Sequence, residues 1–203
     1  MAETISRVMV ILANPASETD QRSNLINNLC KTYSEACQNT GLEVDFLDLY
    51  KDEEFDPVHN LDERDTKVLE YQIRLRKAQM IVFFHPVWWQ SVPALLKGFL
   101  DKVLISGFGY RYSNKVVQGL LEDKQAIVVA TSEQPVWQLR YIYGNILENF
   151  WQKVVLGYCG VKSKIFVFGN FRSVPDSEIE KWHKKMENLA KKINTKESAL
   201  DWF

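Results

Sequence analysis

Short, continuous apolar runs that recur between helix-like segments constrain this chain more than any other feature. Arg7–Ala13, Met80–Phe84 and Gln125–Thr131 are apolar along almost their whole length. Runs this brief, bounded by turn residues, read as central parallel strands buried on both faces. Glu43–Tyr50 alternates apolar and polar residues over much of its length and reads as a strand nearer an edge, and Lys164–Phe168 supplies a fifth. Between them, Leu25, Ile26, Leu29, Tyr33, Ala36 and Cys37 form a helical stripe with Gly41 where a C-terminal cap belongs. Asp62–Ala78, Pro93–Leu104, Tyr141–Tyr158 and Asp176–Ile193 read as further helices, and the acidic stretch Lys51–Asp65 as a loop. Parallel neighbours need crossover helices, and those crossovers are right-handed. The pattern predicts a doubly wound five-stranded α/β sheet, and 203 residues fit one domain spanning 1–203.

Composition narrows the function classes. A net charge of −1 gives no global field toward nucleic acid or an anionic membrane, and none of the acidic docking face that an electron carrier uses. The lysines of the last helix, at 181, 184, 185, 191 and 192, interleave with Glu178, Glu180 and Glu187 and read as a solvated face. Cys30, Cys37 and Cys159 have no metal-ligand spacing and read as buried free thiols in a reducing compartment. The first apolar run is too short for a membrane span and no small-residue cleavage site follows it, so a cytoplasmic location without membrane insertion is expected. His59 and His183 read as solvated and His85 as packed at a strand end; no histidine pairs into a metal site. The tail Leu200–Phe203 and the aromatic density of Tyr141–Trp151 point to a homodimer interface.

In a doubly wound sheet, ligands bind outside the carboxyl ends of the strands. Three loops therefore matter. The loop after Ala13, Asn14 to Asn24, carries small and hydroxyl residues into a helix start, where backbone N–H groups suit an anion and Arg22 could add charge. A phosphate site and a plain capped helix, with Ser23 or Asn24 as the cap, explain it equally well. It contains neither a GxGxxG nor a GxxxxGK[ST] pattern. The loop after Phe84, His85-Pro86-Val87-Trp88-Trp89-Gln90-Ser91-Val92-Pro93, sets two adjacent tryptophans between prolines. Such a stiff loop suits a planar aromatic ligand, although tryptophans packing in a core or interface would look the same.

The stretch from His85 through Leu104, running on to Gly107-Phe-Gly-Tyr-Arg-Tyr112, resembles the NAD(P)H:quinone oxidoreductase (DT-diaphorase) family, including bacterial drug-activity-modulator, general stress and potassium-efflux ancillary members. The resemblance follows the element order of nearly the whole chain. It implies a flavodoxin-like sheet of strand order 2-1-3-4-5 with helices on both faces. It also implies a flavin, FMN rather than FAD because no adenine pocket is identified, with NAD(P)H as co-substrate and a quinone or similar acceptor reduced in a ping-pong cycle. Pro86, Val87, Trp88, Trp89 and Gln90 would lie along the isoalloxazine ring, and Gln21, Arg22, Ser23 and Asn24 would contact the phosphate. Asn14 stands where many members have histidine, and Tyr110 and Tyr112 match aromatic positions around the acceptor and nicotinamide.

The third loop departs from the family. Members usually carry Thr-Thr-Gly-Gly there; this chain has Thr131, Ser132, Glu133 and Gln134 followed by Pro135. A carboxylate at Glu133 would oppose the negative charge of a reduced flavin. Tyr141 falls roughly where members often have an active-site histidine, and it can donate a hydrogen bond but offers no imidazole. Two other classes remain open: a flavin-bearing regulatory subunit of a membrane transport system, and a flavin electron-transfer module without nicotinamide turnover.

Overall fold

The structure, a computed structural model, describes residues 5–15, 22–58 and 65–194. Gln21, His59 and the tail Leu200–Phe203 lie outside these residues. The chain runs β1 (Arg7–Leu12), α1 (Leu25–Asn39), β2 (Glu43–Asp48), α2 (Thr66–Lys77), β3 (Met80–Pro86) and α3 (Ala94–Val103). A hairpin of β4 (Tyr110–Ser113) and β5 (Val116–Gly119) follows, then β6 (Gln125–Thr131), α4 (Ile146–Asn149), β7 (Lys162–Phe168) and α5 (Asp176–Asn194).

Five strands form one parallel sheet in the order β2-β1-β3-β6-β7. Counting only its own members, that is the expected order 2-1-3-4-5. Successive side chains of a strand point to opposite faces, so each central strand feeds two cores. Val8, Val10 and Leu12 of β1 pack with α1 and α5, while Met9 and Ile11 pack against α2 and α3. Residues alternate in the same way along β3, where Val82 and Phe84 face α1 and Ile81 and Phe83 face Phe99 and Trp151. Both edge strands are less buried than the three between them.

Local chemistry sets the helix ends. Asp65 caps α2, its carboxylate accepting from the N–H groups of Lys67 (2.9 Å) and Val68 (3.3 Å). Lys102 holds Asp65 in place at 2.7 Å. Thr40 ends α1, and Gly41 follows at φ +86°, a conformation that suits glycine. All three cysteines are free and buried, and burial pushes the Cys37 and Cys159 thiols up to about 11.

Three sequence expectations change. The hairpin was not anticipated, because its strands are four residues long and its turn residues, Asn114 and Lys115 at φ 51° and 66°, lack the Asn-Gly signature. The helix expected over Tyr141–Tyr158 is broken. A π-helical turn at Gln138–Ile142 precedes Gly144 (φ 71°) and Asn145 (φ 55°), and a wide turn at Phe150–Val155 follows α4. His183 is half-buried rather than solvated, with Nδ1 2.7 Å from Thr32 Oγ1.

The hairpin sits so close to the turn before β7 that a Cβ added at Gly119 would lie 2.4 Å from backbone atoms of Cys159 and Gly160. Neither side can yield without moving backbone. Gly119→Ala should therefore lower stability by about 1–3 kcal/mol in urea unfolding; an unchanged midpoint would mean that the hairpin is free to lift.

Candidate functional site

Register in the sheet brings the three loops together. Ala13 N–H donates to Phe84 O at 2.8 Å, and Pro86 lies opposite Thr131 at the end of the β3–β6 ladder. The chain segments leaving β1, β3 and β6 thus wall one cleft of about 860 Å³. Its lining includes Asn14, Ser23, Pro86, Val87, Trp88, Trp89, Gln90, Thr131, Ser132, Glu133 and Gln134. Pro15, Tyr143, Phe171 and Arg172 complete it.

The second loop is the most constrained. Trp88 and Ser91 exchange backbone hydrogen bonds of 3.1 and 2.8 Å, and Trp89 and Gln90 between them have φ of 49° and 60°. This is the geometry of a type I′ turn, which Asn-Gly usually occupies. Two bulky residues held in the left-handed region cost about 1–2 kcal/mol each. Strain of this kind persists where neighbouring structure imposes it, and it clusters at ligand sites. The turn leaves Trp89 fully exposed and Trp88 half-exposed at the cleft.

The neighbours that impose it can be named. Val87 N–H donates to Thr131 O at 2.8 Å, and the Pro86 carbonyl lies 2.9 Å from His85 Nδ1. The indole N–H of Trp151 donates to His85 Nε2 at 3.1 Å. Indole can only donate, so Nε2 accepts and the proton sits on Nδ1, which donates to Pro86 O. Both ends of the Pro86–Val87 peptide are thereby tied down. His85 is completely buried, and burial pushes its pKa down to about 4.

The third loop is tied sideways. Gln90 Nε2 donates to Gln134 Oε1 at 2.7 Å, and Gln134 N–H donates to Ser132 Oγ at 3.0 Å. Gly169 makes room for it, since a Cβ there would lie 2.7 Å from Gln134 O. Glu133 is ion-paired with Arg172, whose Nη2 also reaches Ser23 Oγ at 3.2 Å. One guanidinium therefore spans the first and third loops and offsets the Glu133 carboxylate. In the first loop Asn14 Nδ2 donates to Ser23 O (3.0 Å) and Asn27 Oδ1 (2.8 Å).

Other expected site residues lie elsewhere. Arg22 turns to the start of α5, with Nη2 2.8 Å from Asp176, so it does not line the cleft. Asn24 occupies the N-cap position of α1 with no side-chain bond to the helix N–H groups, and its Oδ1 accepts from Asn27 Nδ2 at 3.3 Å. Tyr110 and Tyr112 form an edge-to-face cluster with Tyr158, and Tyr110 lines a second cleft of about 800 Å³ with Leu100, Ile105 and Phe150. Tyr141 is 80% exposed outside the first cleft, and Tyr143 stands at its wall instead. Arg172 and Phe171 were missed because they follow β7; adjacency of β7 to β6 would have pointed to that loop. Among the described residues no cluster of His, Cys, Asp and Glu could hold a metal ion, and no helix is long and apolar enough to cross a membrane.

Sheet order, paired loops and cleft together define a flavodoxin-like protein with a cofactor-sized site at the carboxyl edge. A family model described as flavodoxin-like fold matches residues 6–193. The chain belongs to that family. It is 29% identical to an uncharacterized NAD(P)H oxidoreductase of Haemophilus influenzae, over 95% of this chain and 96% of the relative. It is 26% identical to an FMN-dependent NADH:quinone oxidoreductase of Caldicellulosiruptor saccharolyticus, over 93% of this chain and 100% of the relative. The solved NAD(P)H:quinone oxidoreductase of Methanothermobacter marburgensis superposes with a TM-score of 0.77 at 20% identity, covering 96% of this chain and all of that one, a likeness of fold.

The folded value of His85 lies below the ordinary 6.5, so the unfolded chain binds that proton more readily. Its stabilisation is present above about pH 6.5 and is lost as pH falls through about 4. From pH 7 to 4.5 the wild type should lose about 2–3 kcal/mol more than His85→Gln in urea unfolding. Equal losses in the two proteins would contradict the buried neutral imidazole.

Proposed function

We propose that this chain is a flavin-dependent NAD(P)H oxidoreductase that reduces quinones or similar small acceptors. The observation that carries the reading is the strained Trp88–Ser91 turn, set against the third loop at the mouth of a cleft of about 860 Å³. The size lies within the range of cofactor pockets. Its aromatic and backbone surface suits a flat conjugated ring, and Arg172 suits a phosphate. When bound, a flavin supplies the redox chemistry, taking two electrons from NAD(P)H and passing them to the acceptor in alternate half-reactions.

The chain positions its ligands. Pro86, Val87, Trp88, Trp89 and Gln90 flank the ring, the last held by Gln134. Ser23 and the start of α1, braced by Asn14, receive the phosphate, with Gln21 in the same loop. Thr131, Ser132 and Glu133 close the far wall. FMN fits this reading better than FAD, as the FMN-dependent relative supports.

The chain is read as one domain acting as a homodimer. Trp137, Tyr141, Ile142 and Ile146 expose more than half of their surface within ten residues, an apolar patch of the kind that a second copy covers. Buried unpaired thiols support a reducing, cytoplasmic location.

The purified protein should carry or take up FMN, and NADH or NADPH should bleach it anaerobically with a quinone restoring the colour. A yellow protein that neither nucleotide bleaches would refute the reductase reading. Trp88→Ala should raise the FMN dissociation constant about threefold to tenfold, the value of an aromatic contact; unchanged affinity would assign Trp88 to packing alone.

A further inference from the structure

Among the described residues, Glu133 and Arg172 are the charged side chains that line the cleft, and they are paired with each other. We infer that this pair is a charge-swap latch. Arg172 takes the phosphate end of the flavin nucleotide, and Glu133 is the placeholder that holds the guanidinium aimed at the first loop until the phosphate arrives. The inference rests on the flavin reading above and deepens it.

Geometry supports both halves. Arg172 touches Glu133 through Nε and Ser23 Oγ through Nη2 at 3.2 Å. Ser23 immediately precedes Asn24, the cap of the fifteen-residue helix α1, so one edge of the guanidinium already lies at the positive end of that helix. A planar guanidinium forks onto a phosphate as readily as onto a carboxylate, and a phosphate monoester brings more charge and more acceptor oxygens. The cation expected from sequence for this role, Arg22, is engaged by Asp176 at 2.8 Å.

The pair is also built to open. The side chains of Arg172 and Glu133 are 47% and 64% exposed, and ion pairs so exposed contribute little stability. Exchanging Glu133 for a phosphate costs little, and the released carboxylate can turn to water. Arg172 stacks on Phe171, its guanidinium carbon 5.3 Å from the ring centroid, so the cation stays in place while its partner changes. Phosphate recognition here comes from Arg172, in the loop that follows β7.

The test compares FMN with riboflavin, which lacks the phosphate, on the full-length protein freed of flavin, by flavin fluorescence titration. Arg172→Gln should raise the FMN dissociation constant about tenfold and leave riboflavin within about twofold. Glu133→Gln, which removes the competitor, should tighten FMN about twofold to fivefold with riboflavin unchanged. The salt dependence of FMN binding should flatten in Arg172→Gln. Both positions are half-exposed, so thermal midpoints should stay close to wild type. Equal shifts for FMN and riboflavin, or weaker FMN binding by Glu133→Gln, would overturn the latch while leaving the flavin reading intact. Failure of the wild type to bind either compound would overturn the flavin reading, and the latch with it.

Discussion

Parallel pairing of β1, β3 and β6 is the constraint from which the cleft descends. Parallel strands put all their carboxyl ends on one edge, and the register sets Pro86 opposite Thr131 while tying Ala13 to the end of β3. Three loops that are distant in sequence must then share one mouth. The pairing is secured from both faces, because alternate residues of each strand enter different cores. A strand slipped by one residue would send each of those side chains to the wrong face, so core packing and site geometry are specified together.

At the end of that ladder, backbone geometry is set by a buried polar chain. Trp151 donates to His85, His85 donates to the Pro86 carbonyl, and the Val87 N–H is taken by Thr131. Each group is satisfied, as burial requires. The peptide entering the Trp88–Ser91 turn is thus oriented before the turn begins, which lets Trp89 and Gln90 hold positive φ. Trp151 belongs to the wide turn Phe150–Val155, beside the exposed aromatic segment Trp137–Ile146. The exposed aromatic segment and the loop at the cleft mouth therefore share one covalent and hydrogen-bonded support.

The central strands were legible because burial on both faces writes itself as uninterrupted apolar residues, while their order came from the family resemblance. The second loop stood out by its paired Trp88 and Trp89 between prolines, and both line the cleft. What escaped sequence reading depends on contacts that no spacing announces. Arg172 reaches the cleft only because β7 pairs with β6, and the burden of Glu133 cannot be judged without it. His85 looks like a packed strand-end residue until Trp151, far along the chain, supplies the donor. Tyr143 rather than Tyr141 lines the cleft, in a stretch where a π-helical turn stands in place of a regular helix. The β4–β5 hairpin hides in short strands that pair only with each other.

The decisive measurement is a crystal structure of the protein with FMN bound. The ring is expected against Val87–Gln90 and the phosphate at Ser23, in the cleft bounded by the ends of β1, β3 and β6. FMN seated instead in the second cleft beside Tyr110, or ordered FMN with its ring turned away from the Trp88–Ser91 turn, would contradict it.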